Sequence, residues 1–179
     1  VLSMAAIVVL GNAMTFLTPL YIQMVQGRSS FDTAVAMIPY QLAVFTAALL
    51  VVGLYKTHAP RRIARYAFTF VAVGMIVLAF VMANEWSNIL VVVGLVLVGV
   101  GQGALVTLLF NVLVTSSSKE LAGDVGALRG TVNNLSAGVG TAIAGALVVG
   151  ILSANIQRAV VDHPEIPSTL VAQVDLDNV

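Results

Sequence analysis

Charged residues divide this chain into five long apolar stretches, since none occurs in 1–27, 33–55, 66–84, 86–118 or 130–157. A helix that crosses a bilayer needs about 20 predominantly apolar residues, and each stretch comes close to that length or exceeds it. Inside hydrocarbon every backbone N–H and C=O must be satisfied within its own segment, so each stretch reads as an α-helix. A transmembrane β-barrel would show short alternating segments instead of unbroken apolar runs such as 89–101. The pattern therefore predicts helices over about 2–25, 32–55, 63–83, 89–115 and 125–155, joined by short turns. Asp32 is placed to cap the second helix with its carboxylate. The fourth turn, 116–123, combines serines with a glycine break. After Asn155 the character changes: Arg158, Asp162, Glu165, Asp175 and Asp177 appear with Pro164 and Pro167. Residues 156–179 thus read as a loop outside the bilayer, in which Ser168 is placed to cap a short helix through Val174.

Composition sharpens this picture. The 179 residues are 59% apolar and 9% charged, eight basic residues balance eight acidic ones, and the mean hydropathy is +1.02. Soluble domains carry roughly 25% charged residues, and a nucleic-acid binder needs a surplus of Lys and Arg; neither fits. Disordered chains are poor in apolar residues and rich in charge, the reverse of what is seen. With no cysteine, there is no disulfide framework and no thiol chemistry. The reading is an all-α membrane protein with five spans.

The distribution of basic residues orients it. Lys56, Arg61, Arg62 and Arg65 follow the second span, and Lys119 and Arg129 flank the fourth turn, whereas the other side has only Arg28 and Arg158. By the positive-inside rule the basic turns and the N-terminus are expected in the cytoplasm of a cell (inner) membrane and the tail outside, with Tyr21 and Trp86 near the outer interface. The chain opens at Val1 without a Met and ends in polar sequence after an odd number of spans, so it reads as part of a longer protein. No basic stretch precedes the first apolar run, which makes a signal peptide a poor reading.

Several residues taken together resemble one family. The run Pro19-Leu20-Tyr21-Ile22-Gln23-Met24-Val25-Gln26-Gly27, then Ser29-Ser30, Ala34 and Pro39 after Met37-Ile38, resembles the seventh-to-eighth helix signature of the major facilitator superfamily. Within it, the fourteen-span drug–proton antiporters are the most similar branch. Gly99-x-Gly101-x-Gly103 is similar to that family's glycine-rich tenth helix (twelve-span counting). Glu120, Ala122-Gly123, Leu128, Thr131, Leu135, Gly140 and Ala142 are similar to its eleventh. The acidic tail resembles the long loop before the last span. The resemblance implies most of the C-terminal half of a major-facilitator fold, partnered by an N-terminal half that carries the key acids, and proton-coupled efflux of amphipathic or cationic compounds. Three positions depart from the pattern. In Gly53–Arg62, which resembles the family's Gly-x-Leu-x-Asp-Arg-x-Gly-x-Arg loop, Lys56 replaces the acid and Ala59 the glycine. In the last helix Arg129 stands one turn before Asn133, where the family often has Arg.

The residues also carry a reading of their own. Gly99 and Gly103 form a Gly-x-x-x-Gly pair, and Gly126, Gly130, Gly138 and Ala142 recur at four-residue spacing with Asn134 among them. In lipid such small residues let helices pack closely, either statically or as surfaces that rock during alternating access. Polar groups in hydrocarbon are costly and usually face the bundle interior or water. Asn12, Thr15, Pro19 and Gln23 lie on one face of the first helix, Gln41 on the second, Gln102 and Asn111 on the fourth, and Asn133 and Asn134 on the fifth. They serve either as interhelical hydrogen-bonding groups or as the lining of a substrate cavity, with Phe16, Phe45 and Phe110 as apolar surface.

Arg129 lies five residues past Asp124, about 7 Å into the last helix. It either snorkels to the surface or closes a cytoplasmic gate with Asp124 and the basic residues Lys56, Arg61 and Arg62. No carboxylate lies deep in any span, so the proton-coupling acid is expected elsewhere in the protein. Nucleophile–base sets, metal clusters and phosphate loops are absent from the sequence, which reads as neither an enzyme nor a cofactor binder. The expected partners are a small-molecule substrate, protons, the lipid bilayer and the N-terminal half, with no nucleic acid. Transport of another solute, such as a lipid or a siderophore precursor, and a non-transporting membrane scaffold are the alternatives.

Overall fold

The computed structural model describes residues 2–55, 57–81, 89–116 and 122–162, with side chains from 5 to 154 within that range except that of Ala122. They form five helices and, among the described residues, no strand: α1 (Leu2–Met24), α2 (Ser30–Leu54), α3 (Pro60–Val81), α4 (Ile89–Thr115) and α5 (Ala122–Asp162). All five are long and apolar enough to cross a membrane. Lys56, Glu85, Trp86, Lys119, Glu120 and the 163–179 part of the tail lie outside the described residues.

Local chemistry explains where these helices begin and end. Gly27 adopts φ 62, a left-handed conformation that costs glycine little, and the turn brings the Arg28 N–H to the Ile22 carbonyl at 3.2 Å, closing α1. The cap of α2 is Ser29, not Asp32. The Asp32 N–H donates to Ser29 Oγ at 3.1 Å, and that hydroxyl donates to Asp32 Oδ2 at 2.8 Å. The carboxylate sits in the first helical turn, where it meets the positive end of the helix dipole. α3 starts three residues earlier than the apolar pattern suggests because Pro60 occupies its first position, where a missing N–H costs nothing. α5 continues seven residues past Asn155, through Asp162, so 156–162 is helical. Its 41 residues measure about 60 Å, twice the hydrocarbon thickness.

α4 is the hub. Half of its most apolar window is buried, against 17–28% for the other four. It packs along α3 on one side and α2 on the other, while α1 pairs mainly with α5 and touches α4 and α2. Glycines set the close approaches. A Cβ at Gly99 would lie 2.6 Å from the Tyr40 carbonyl oxygen, one at Gly101 2.5 Å from that of Ala67, and one at Gly103 would strike that of Val44. The buried side chains form two clusters, Ile7, Val51, Ile63, Ala67 and Leu105 near one end and Tyr40, Leu78, Val91, Leu95 and Val98 near the other. The Tyr55 hydroxyl donates to the Leu108 carbonyl at 2.9 Å, tying the end of α2 to α4. Partial burial raises that phenol above its ordinary value of 10.0.

Candidate functional site

The polar groups of the spans divide into those engaged inside the chain and those left at its surface. Gln102 belongs to the first set. Buried on α4, it donates from Nε2 to the Ile7 carbonyl of α1 at 3.0 Å. Gly11 provides the space, since a Cβ there would overlap the Gln102 amide. Gln102 is therefore a strut between α4 and α1 and not part of a cavity lining. Asn12 donates to the Val8 carbonyl at 2.9 Å, and Thr15 to the carbonyls of Gly11 and Asn12 at 3.0 and 3.1 Å. Both half-buried groups are thus held on their own helix. Every buried side-chain N or O among the described residues has a partner.

Gln23, Gln41, Asn133 and Asn134 form the second set; all four are exposed, and Asn111 is half-buried. The eight amide and hydroxyl residues do not share one environment within the described residues. Cavities of about 250, 480 and 420 Å³ have linings that include none of them. Helix geometry gives the reason: at 100° per residue, the nine steps from Gln102 to Asn111 put those two side chains on opposite faces of α4, about 180° apart.

Arg129 is exposed, and among the described residues it meets an aromatic ring. Its guanidinium carbon lies 4.1 Å from the centroid of the Phe110 ring of α4, a cation–π contact across the α4–α5 cleft. Five helical steps place Asp124 about 140° away from it around α5, and that carboxylate is exposed. Arg61 and Arg62 are also exposed, at the start of α3, while Lys56 lies outside the described residues. Phe16 and Phe110 are each 36% exposed and Phe45 61%, so all three rings present apolar surface.

The small-residue stripes divide in the same way. Gly99 and Gly103 meet α2 backbone, as described above. Gly126, Gly130 and Gly138 have no atom within 4 Å of an added Cβ among the described residues. The contact of α5 with α1 runs instead through Ser136, Gly140 and Ala144, all buried, with Gly140 against Val9. Gly138 and Gly140 are two steps apart, about 200° around the helix, so the stripe expected to pack faces away from the one that does. Gly11 and Tyr55 are structural positions that sequence reasoning missed; the only available signal was a glycine on the same α1 face as Ile7 and Met14.

The family model of the Major Facilitator Superfamily matches residues 1–141. The chain belongs to that superfamily. A curated relative, a "Probable actinorhodin transporter" of Streptomyces coelicolor, is 24% identical over 154 residues, which cover 84% of this chain and 27% of the relative. The chain thus spans about a quarter of the length of the relative it matches. No solved structure matches it significantly. The five membrane-length helices of this major-facilitator chain make it part of a multi-pass membrane protein, and its family is one of transporters.

Proposed function

We propose that the chain supplies most of the C-terminal half of a major-facilitator secondary transporter that exports amphipathic or cationic compounds in exchange for protons by alternating access. The observation that carries this reading is the set of polar side chains left exposed on membrane-length helices: Gln23, Gln41, Asn133 and Asn134, with Arg129 nearby on α5. Amides facing hydrocarbon are costly, so such groups belong against water or protein. In this reading they face a path completed by an N-terminal half, which also contributes the titrating carboxylate and the protonic coupling. The basic ends of α2, α3 and α5 face the cytoplasm of the cell (inner) membrane, with Arg129, Asp124, Lys56, Arg61 and Arg62 at the cytoplasmic gate. The name of the Streptomyces coelicolor relative supports a transport activity.

The test is compound-driven collapse of an imposed pH gradient in proteoliposomes of the full-length protein. The expected outcome is a compound-dependent proton flux that Asn133→Leu and Gln41→Leu lower by about tenfold, a loss of roughly 1.4 kcal/mol in transition-state binding. Flux untouched by either change would move selectivity out of these helices. No coupled flux with any compound, in a folded protein, would favour another solute or a scaffold role.

A further inference from the structure

The cavity of about 250 Å³ lies between α2, α3 and α4, at the end where α2 stops and α3 begins. Its walls are hydrocarbon: Ala47, Leu50 and Leu54 from α2, Phe70 from α3, and Ala104 from α4. His58 and Arg62 stand at its rim. From Arg62 to Phe70 is eight residues, so the groove runs about 12 Å from the rim along α3. Two of its lining residues, Leu50 and Tyr66, are strongly exposed, at 67% and 65%, so the groove is open at the protein surface between the faces of these helices. Such faces of a membrane-spanning chain meet lipid, so an occupant arriving from the side is a membrane molecule.

Charge specifies which one. Residues 33–84 contain no Asp or Glu, yet Lys56, Arg61, Arg62 and Arg65 fall within ten consecutive positions of that segment. The rim is therefore cationic without a local counter-charge from its own sequence. The other two cavities, of about 480 and 420 Å³, are also apolar but have no charged residue in their linings. An apolar groove alone does not select among phospholipids, whereas basic pockets between spanning helices bind anionic headgroups.

We infer that this groove binds one anionic phospholipid, with an acyl chain between α2, α3 and α4 and the headgroup phosphate on Arg62 and His58. Arg61 and Arg65 add to the local positive potential, and the Tyr66 ring sits where chain and headgroup meet. The contact of His58 Nδ1 with Thr57 Oγ1 at 2.8 Å fixes the ring beside the groove mouth.

The test places a fluorophore at the site. In the full-length protein, Trp86→Phe removes this chain's native tryptophan and Tyr66→Trp puts one at the groove, any tryptophans elsewhere in the protein being replaced likewise. The protein is reconstituted in phosphatidylcholine vesicles containing a minor fraction of phosphatidylglycerol, with bromines on the acyl chains of one lipid or the other. Brominated phosphatidylglycerol is expected to quench well beyond its share of the bilayer. Arg62→Gln should reduce that preference about fivefold, and the pair Arg61→Gln with Arg62→Gln further. Quenching by brominated phosphatidylcholine should remain unchanged in both variants, which shows that the fold and the probe position survive. Equal quenching by the two lipids in the unaltered rim would overturn the assignment, as would a preference that survives loss of both arginines. Relief of quenching by millimolar inorganic phosphate would identify a plain anion site without an acyl chain and would overturn it too.

Discussion

α4 and α5 are both rich in glycine, yet they use it in opposite ways. Each of the four α4 glycines, Gly94, Gly99, Gly101 and Gly103, lies so close to a neighbouring helix that an added Cβ would collide. Of the seven in α5, Gly140 alone does so among the described residues. The amides follow the same division: Gln102 of α4 is buried and bonded to α1, while Asn133 and Asn134 of α5 are exposed. In lipid the hydrophobic effect does not drive helices together, so close packing and hydrogen bonds must do so. Those devices are engaged around α4, which forms a body with α2 and α3. On α5 the same residue types are present without a partner inside the described residues.

The strongest way to break the comparison is to enlarge a glycine on each side of it. Gly103→Leu should destabilise the protein by about 3 kcal/mol or more, because the new side chain must displace the Val44 backbone. Gly138→Leu should change stability by less than about 0.5 kcal/mol, as surface substitutions do. Thermal unfolding in detergent, followed by helical circular dichroism, measures both. Equal losses would show that the Gly138 face is packed in the folded protein by residues beyond those described, and would erase the distinction.

The way these two glycines divide shows how far the sequence could be read. The five helices were legible because the distance between charges is long and the apolar runs are unbroken, a signal that depends on length and not on packing. Boundaries were less so: the Ser29 cap and the Pro60 start lie in polar sequence just outside the apolar windows, and α5 extends past Asn155 through residues whose polarity suggested a loop. The site was the least legible. Asn12, Thr15, Gln41 and Gln102 look alike as polar letters in apolar runs. Their roles differ because Gln102 points at the gap left by Gly11, Asn12 and Thr15 bond to carbonyls of their own helix, and Gln41 points away from the core. Four-residue spacing likewise found a stripe on α5, but the stripe two residues over makes the contact, and periodicity alone does not say which of two small-residue faces has a neighbour.

A second, smaller test compares the two kinds of amide. Gln102→Leu removes the hydrogen bond to the Ile7 carbonyl and should cost about 1 kcal/mol, within the range known for interhelical bonds in membranes. Gln41→Leu should leave stability within about 0.5 kcal/mol while lowering transport. A stability loss from Gln41→Leu that matched that from Gln102→Leu would place Gln41 in a packed interface.

The smallest expected effect lies at a polar contact that joins the two regions among the described residues, Arg129 on Phe110. A double-mutant cycle of Arg129→Gln and Phe110→Leu should return a coupling of about 0.5–1 kcal/mol, typical of a cation over an aromatic face. If Arg129 instead served an ion pair with Asp124, Asp124→Asn would remove the same energy. The contact geometry favours the first outcome, because the ring and not the carboxylate lies against the guanidinium. Coupling that vanished in Asp124→Asn would transfer Arg129 from the α4–α5 contact to a charge network at the start of α5, and α5 would then be joined to the α4 body by packing alone.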